Sequence, residues 1–462
     1  MKIAIITENF LPKVDGVTRT LARLLEHLSN TEHTVILLGP ETGMSSYAGA
    51  ELYGTFGIPF LPYPELKCNI WRPAFTQKLI EFQPDVIHLV DPVFLGAVGL
   101  WVIRYYLPDV SIVSSYHTNL AVYCDHFGFG FLTSVMWKWN RYCHSFSKYI
   151  ACPSPSTRTI LNMHGFNSVR LWPRGVDISL FSPKKRSNDL RARWLGISVD
   201  EARKKTIILY VGRVSYEKNI NLVIDAYKGM DYSSCHLVLV GHGPAFSEIE
   251  SDCVKSGIPV TLTGYLQGAD LSEAYASADV FAFPSVTETF GQVVLEAMAS
   301  GLPVVGLLAE GVCDLVEHGR TGLLLDTNSY QNASSSDHAM NYRSLLKRLT
   351  QNISLRESMS KEARKSAKKY TWYEAMERMV RMYDEAVVPI PTSLRIINDS
   401  PFILPKHLSK EPVIEGECSD TIDDKSVEED SGVEEDYTTC DFPHSVLSLP
   451  NAKSRKPIVI ES

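Results

Sequence analysis

The chain has 462 residues and lacks several things a reader would look for first. Its nine cysteines are odd in number and form no C-x-x-C pair, so neither a disulfide frame nor a zinc site is expected, and reduced thiols fit better. No D-x-D occurs, so no obvious carboxylate pair could hold a metal on a diphosphate. There is no P-loop and no G-x-S-x-G. G-x-G-x-x-G is missing after the first strand-like run. Gly241-His242-Gly243 comes close, but residue 246 is Phe, which gives little support to dinucleotide binding. The longest apolar run, VFLGAVGLWVI at 93–103, is too short to span a bilayer. Met1 is followed at once by KIAIIT, so no signal peptide is expected either.

Nor is there an excess of positive charge. The net charge is −8, and from Pro389 onward 15 acids face 7 bases. The remainder carries 38 of each, a neutral body that argues against a nucleic-acid partner. The last stretch, rich in Pro and Ser with the run SVEEDSGVEED, predicts a disordered acidic tail over 388–462.

What is present is a long α/β alternation. Short apolar runs at 2–7, 33–39, 85–91, 111–117, 148–153 and 169–172 alternate with helical patterns such as Leu21, Leu24, Leu25 and Leu28. A second series follows at 206–212, 236–241, 260–264, 280–284, 303–307 and 322–325. Short apolar strands between amphipathic helices imply parallel sheets covered on both faces. We expect two Rossmann-like, doubly wound domains facing a cleft, at 1–181 and 206–371, joined by a polar connection at 182–205. A last helix at 372–387 carries Trp372, Ala375, Met376, Met379, Met382 and Tyr383 at helical spacing. At this length more than one domain is expected, and ligands of such folds bind at strand carboxyl ends.

Four loops at those ends hold suggestive residues. Asp15-Gly16-Val17 follows the first strand, where Gly lets backbone approach a phosphate or sugar, though a plain turn fits as well. His117 ends SIVSSYH and fits a sugar ligand or a structural role. Gly212-Arg213-Val214-Ser215-Tyr216-Glu217-Lys218 offers a planar guanidinium and a compact ammonium for a diphosphate, or two surface bases at a helix start. Glu288-Thr-Phe-Gly-Gln-Val-Val-Leu-Glu296 sets two carboxylates around a helix mouth, where the amides of Phe290, Gly291 and Gln292 form an anion site. Two cations, a helix N-terminus and two carboxylates suit departure of a diphosphate from a sugar without metal.

These motifs, with GHGP at 241–244 and AMASGLPVV after Glu296, resemble the retaining glycosyltransferases of family four, which have the GT-B fold. The resemblance covers residues 1–387 and is nearest to sulfoquinovosyl diacylglycerol synthases and GDP-mannose-dependent α-mannosyltransferases. It implies that Arg213 and Lys218 bind the donor diphosphate, and that Gly16 meets the phosphate from the opposite domain. It implies that Glu288 holds donor-sugar hydroxyls with Thr289, Phe290 and Gly291 nearby, and that His117 touches the sugar near the reacting carbon. Glu296 would accept from the ribose. Tyr265 and Leu266 would border the base, and Gly243 and Val293 would complete the donor site. It further implies same-face transfer through a short-lived oxocarbenium-like ion pair, with Glu288 orienting the sugar rather than attacking it, unlike a retaining hydrolase. Many relatives have Gly-Gly where this chain has Asp15-Gly16.

The implied donor is a UDP- or GDP-linked sugar, with no cofactor and no metal. The implied acceptor is a lipid or glycolipid, with a soluble sugar or glycan, or a non-catalytic scaffold, as alternatives. Residues 119–143 carry Tyr123, Phe127, Phe129, Phe131, Trp137, Trp139 and Tyr142, which could dip into a membrane surface or pack in the core. The basic groups at 184–186 and 203–205 could add attraction to anionic lipid or belong to a solvated linker. The expected location is cytoplasmic, peripheral on a membrane.

Overall fold

The computed structural model describes residues 1–13, 15–60, 63–126, 128–326 and 334–388. The acidic tail beyond 388 lies outside them, as do Phe127 and the side chain of Tyr123.

Period-two alternation builds the first sheet. Ile3 and Ile5 face one apolar cluster and Ala4 and Ile6 another, and Val35 and Leu37 alternate with Ile36 and Leu38 in the same way. Both faces are therefore covered, as a parallel sheet requires. In spatial order its strands are Val169–Leu171, Tyr149–Cys152, Ser111–Ser115, Val86–Val90, Lys2–Thr7, Thr34–Pro40, Ala50–Thr55 and Ser46–Tyr47. All neighbours pair in parallel except the last two. Strands at 46–55, and an antiparallel ribbon of Gly57–Phe60 and Tyr63–Asn69, were not legible in the apolar pattern.

The second sheet is parallel throughout, in the order Val260–Gly264, Cys235–Val240, Thr206–Val211, Val280–Phe283, Val304–Leu307 and Gly322–Leu325. Each sheet grows outward in both directions from its first strand. The reversal falls between Lys2–Thr7 and Val86–Val90 in one sheet, and between Thr206–Val211 and Val280–Phe283 in the other. At such a switch point the loops leaving adjacent strands diverge and leave a crevice. The candidate loops all sit at or beside these two crevices.

Residues 182–205 are not a bare connection. They form helices Asn188–Leu195 and Val199–Lys204, the second opened by a Ser198–Glu201 capping box. Arg191 is buried and pairs with Asp279 at 2.8 Å, and Arg186 pairs with the same carboxylate at 2.7 Å. The helix Trp372–Val387 leaves the second sheet and packs Met376, Met379, Met382 and Tyr383 against the first.

Candidate functional site

The loop after Thr206–Val211 and the loop after Val280–Phe283 are tied together. Lys218 Nζ lies 2.5 Å from Glu288 Oε1 and 3.3 Å from Thr287 Oγ1. Ser285 Oγ donates to the same Glu288 oxygen at 3.3 Å. Arg213 Nε faces Glu217 at 3.7 Å, and its carbonyl accepts from Tyr210 OH at 2.8 Å. Behind this loop runs Gly241–Gly243. A Cβ at Gly243 would meet Val214 O at 2.4 Å, and one at Gly241 would meet Gly212 O at 1.9 Å, so only glycine lets the two loops pack.

Beyond Glu288 the chain turns through Gly291 at φ +89° into the helix Gln292–Ala299. Thr289 and Phe290 are buried. The amides of Phe290, Gly291 and Gln292 make no hydrogen bond among the described residues, as expected of a first helical turn. One turn down, Tyr275 OH lies 3.3 Å from the Val293 carbonyl and 3.1 Å from Glu296 Oε2, two acceptors for its single hydrogen. Glu296 is 3% exposed, and burial pushes its carboxyl up to about 7. Arg19, from the helix Gly16–Leu28 of the other sheet, lies 3.3 Å from Glu296 Oε1. Tyr265 is exposed at the end of Val260–Gly264, with Leu266 half-buried beside it.

The first sheet presents His117. Its backbone amide donates to Asp91 Oδ1 at 2.7 Å, and Thr118 Oγ1 donates to Asp91 Oδ2 at 2.9 Å. Burial raises Asp91 to about 6. The imidazole is buried, and that burial holds it well below the usual histidine range, so it is neutral. Its Nε2 lies 2.9 Å from Ser115 Oγ, which lies 2.8 Å from His88 Nε2, and His88 Nδ1 lies 2.7 Å from Tyr383 OH. The Tyr383 hydroxyl has no other partner among the described residues, so its hydrogen is assigned to His88 Nδ1. The chain then runs one way. His88 donates to Ser115, Ser115 donates to His117 Nε2, and the remaining His117 proton sits on Nδ1. That nitrogen is buried and has no partner.

The two sheets meet over these loops. Thr289 Oγ1 donates to the His117 carbonyl at 2.8 Å, and Gln292 Nε2 donates to the Gly175 carbonyl at 3.1 Å. Thr157 Oγ1 lies 2.6 Å from Glu310 Oε1 and 3.1 Å from the Thr289 carbonyl. Asp314 accepts from the Ser156 amide at 3.1 Å and from its hydroxyl. So Lys218, Glu288, Thr289, Phe290 and His117 converge, while Tyr265 and Leu266 stand to one side.

Several participants carried no sequence signal that we read. Arg19, the Thr157–Glu310 contact and the Ser115–His88–Tyr383 chain were missed. So was Arg174, whose guanidinium lies over Gly16: a Cβ there would meet Arg174 NH1 at 2.3 Å. Arg174 follows the strand Val169–Leu171, and its strand-end position was the available clue. In the aromatic stretch, Trp137 is buried and stacks on His164 at 3.7 Å, and Trp139 Nε1 donates to the Val93 carbonyl at 3.0 Å. Trp137 belongs to the core, and Trp139 is half-buried against the loop before the helix Leu95–Tyr106. The exposed aromatics are Phe131 and Tyr142, beside Trp101, Tyr105 and Tyr106 of the helix Leu95–Tyr106. Among the described residues no helix is long and apolar enough to cross a membrane.

Comparison with known proteins agrees with the geometry. Residues 14–180 match the model for Glycosyltransferase Family 4, and residues 198–366 match Glycosyl transferases group 1. A GDP-mannose-dependent alpha-mannosyltransferase of Mycolicibacterium smegmatis is 34% identical over 393 residues, 83% of this chain and 97% of that one. The sulfoquinovosyl transferase SQD2 of Arabidopsis thaliana is 31% identical over 374 residues, 79% of this chain and 70% of that one. Among solved structures, HepE of Anabaena in complex with UDP superposes with a TM-score of 0.65 at 18% identity, covering 83% of this chain and all of that one, which shows the GT-B fold. Two sheets meeting over their switch-point loops, with a relative 34% identical along 97% of its length, lead to one conclusion: the chain is a hexosyltransferase belonging to glycosyltransferase family 4.

Proposed function

We propose that the chain moves a hexosyl group from a UDP- or GDP-linked sugar to a lipid or glycolipid acceptor at a membrane surface, with retention and without metal. The observation that carries this reading is the Lys218–Glu288 contact at the second switch point, facing the His117 loop of the first sheet. Residues 206–371 bind the donor and residues 1–181 the acceptor, with 182–205 joining them and 372–387 returning to the first.

Arg213 and Lys218 draw on the diphosphate, and the amides before Gln292 add to the same field. Glu288, held by Lys218 and Ser285, accepts from sugar hydroxyls, and His117 Nδ1–H donates from the other side. The bond from the anomeric carbon to the leaving phosphate oxygen breaks with its electron pair going to phosphate. The acceptor oxygen attacks the same face, and its proton passes to the departing phosphate oxygen. Glu296 takes the ribose once Arg19 yields. Gly16, Gly243, Thr289, Phe290, Gly291 and Val293 shape the donor site, and Tyr265 and Leu266 border the base.

Two relatives by name use a GDP-linked or sulfoquinovosyl donor, and the HepE structure holds UDP, so both bases belong in the test. The lipid reading is supported by the exposed aromatics Trp101, Tyr105 and Tyr106 of the helix Leu95–Tyr106, Phe131 of the turn Gly130–Leu132 and Tyr142 of the helix Thr133–His144, with Arg104 on the first helix and Lys138 and Arg141 on the second. Melting temperatures with a panel of UDP- and GDP-sugars test the donor, since a ligand of the native state raises them. Sedimentation with anionic vesicles, repeated with Trp101, Tyr105 and Phe131 changed to Ser, tests the surface. Undiminished sedimentation of that variant would remove the lipid reading from this face.

A further inference from the structure

Arg174 is a buried cation with no counter-charge in contact. Its side chain sits in a residue only 8% exposed, its Nε has no hydrogen-bond partner, and among the described residues no carboxylate lies within ion-pair distance of it. It stands between the two halves. On one side it covers the backbone of Gly16 at the start of the helix Gly16–Leu28. On the other its guanidinium carbon lies 5.9 Å from the centre of the Phe290 ring, one residue before the Gly291 cap. Glu288, Asp15 and Asp91 act on it from a distance, but a buried charge with no partner in contact is costly, and a ligand of opposite sign would complete it. Nothing in the fold demands a cation here, since Arg174 holds no carbonyl and caps no helix that the structure describes.

We propose that Arg174 is a third cation of the donor site, which meets the diphosphate from the first sheet while Arg213 and Lys218 hold it from the second. This inference rests on the donor reading above. Glu288 joins the two sides: it touches Lys218 directly, and of all the carboxylates its charge acts most on Arg174, although burial is the larger influence. An uncharged sugar hydroxyl would leave Arg174 uncompensated. A diphosphate lying between Gly16 and the amides of Phe290 and Gly291 would not, and a guanidinium fork suits two phosphate oxygens. As the anomeric C–O bond breaks, its electron pair localises on the phosphate, where Arg174 donates hydrogen bonds and transfers no proton. Arg174 also accounts for glycine at position 16, because any larger residue would displace the guanidinium.

The test compares Arg174→Met and Arg174→Lys with the wild-type full chain. Calorimetry measures GDP, UDP, GMP and UMP, and thermal melts check folding. For the diphosphate that the wild type binds, Arg174→Met should weaken affinity by about 10- to 100-fold, the range of a charge-assisted hydrogen bond. The matching monophosphate should change by no more than about twofold, because its single phosphate is the one next to the ribose. Arg174→Lys keeps the charge and should recover part of the loss; it carries the test if the Met variant does not fold. Equal weakening of mono- and diphosphate, or no weakening of either, overturns the assignment. So does a rise in acceptor KM with diphosphate binding intact, which would give the guanidinium to an acceptor anion. If the wild type binds no nucleoside diphosphate, the donor reading fails, and this assignment with it.

Discussion

Thr289 Oγ1 donates to the carbonyl oxygen of His117 across 2.8 Å, and both residues are buried. The loop carrying Glu288 is thereby pinned to the loop carrying His117, although 172 residues separate the partners. Any sugar between the two would be addressed by both at once. Thr289→Val keeps the shape and removes the donor, leaving a buried carbonyl with one partner fewer. We expect a loss of about 1–3 kcal/mol in stability, read from denaturant melts. Activity should fall about tenfold, since positioning across the cleft is loosened. Unchanged turnover in the folded variant would mean that this contact does not organise the site.

Glu310 gives a pH dependence of known sign. Burial pushes its carboxyl up to about 7 from an ordinary 4.5. The Thr157 hydroxyl beside it also touches the Thr289 carbonyl. Thr157 and Asn119 donate to the Glu310 carboxyl and oppose that rise, but burial outweighs them. Between pH 4.5 and 7 the folded chain keeps a proton that the unfolded chain has lost. Stability from this group is therefore full below the lower value and declines as pH rises through the upper one. Glu296 and Asp314, also raised by burial, act in the same direction. Glu310→Gln should flatten the fall in melting temperature between pH 5 and 8, and gain on the order of 1–3 kcal/mol over the wild type at pH 8. A pH profile parallel to the wild type would contradict the assignment.

The hydrogen-bond chain from Tyr383 sets the tautomer of His117. Tyr383→Phe fits the same space and removes the hydrogen that polarises the chain. The imidazole nitrogens should then lose their fixed preference, which 15N chemical shifts of His117 report directly. Turnover should drop by about 3- to 30-fold, because a neutral hydrogen bond is worth roughly 0.5–1.5 kcal/mol, somewhat more when a buried group is left unpaired. A wild-type pattern of 15N shifts in the variant would show that the helix Trp372–Val387 only packs against His88.

Much of this was legible from one residue type at a time. Alternating Ile and Val gave both sheets, because a parallel sheet buries each strand on two faces and leaves long apolar runs. Strand-end loops pointed to Gly16, His117, Arg213, Lys218 and Glu288, because diverging connections open a crevice there, and the structure brings the loops of Lys218, Glu288 and His117 together. The strands at 46–55 and the ribbon of Gly57–Phe60 and Tyr63–Asn69 stayed hidden because Gly, Pro and single charged residues break up their apolar runs. The helices at 188–204 were read as a polar connection; Ser198-x-x-Glu201, the capping box that opens the second of them, went unread. Arg174 and Glu310 were missed for a different reason. Their meaning comes from burial, and nothing in an isolated Arg or Glu shows that the chain will close over it. The aromatic stretch at 119–143 left core packing and surface contact both open, because large aromatics fill cores as readily as they face membranes; Trp137 is buried, while Phe131 and Tyr142 are exposed.

Lys218 is the cation on which departure of the diphosphate depends most. The decisive measurement is hexose transfer by the purified full chain in the presence of EDTA, with nucleoside diphosphate affinity determined alongside, for the wild type and Lys218→Met. The wild type should remain active without free metal. The variant should fold, bind the diphosphate about 10- to 100-fold more weakly and turn over at least about a hundredfold more slowly, as expected when a preorganised charge on a leaving group is lost. Full transfer by the variant, or activity of the wild type that disappears with EDTA, would contradict it.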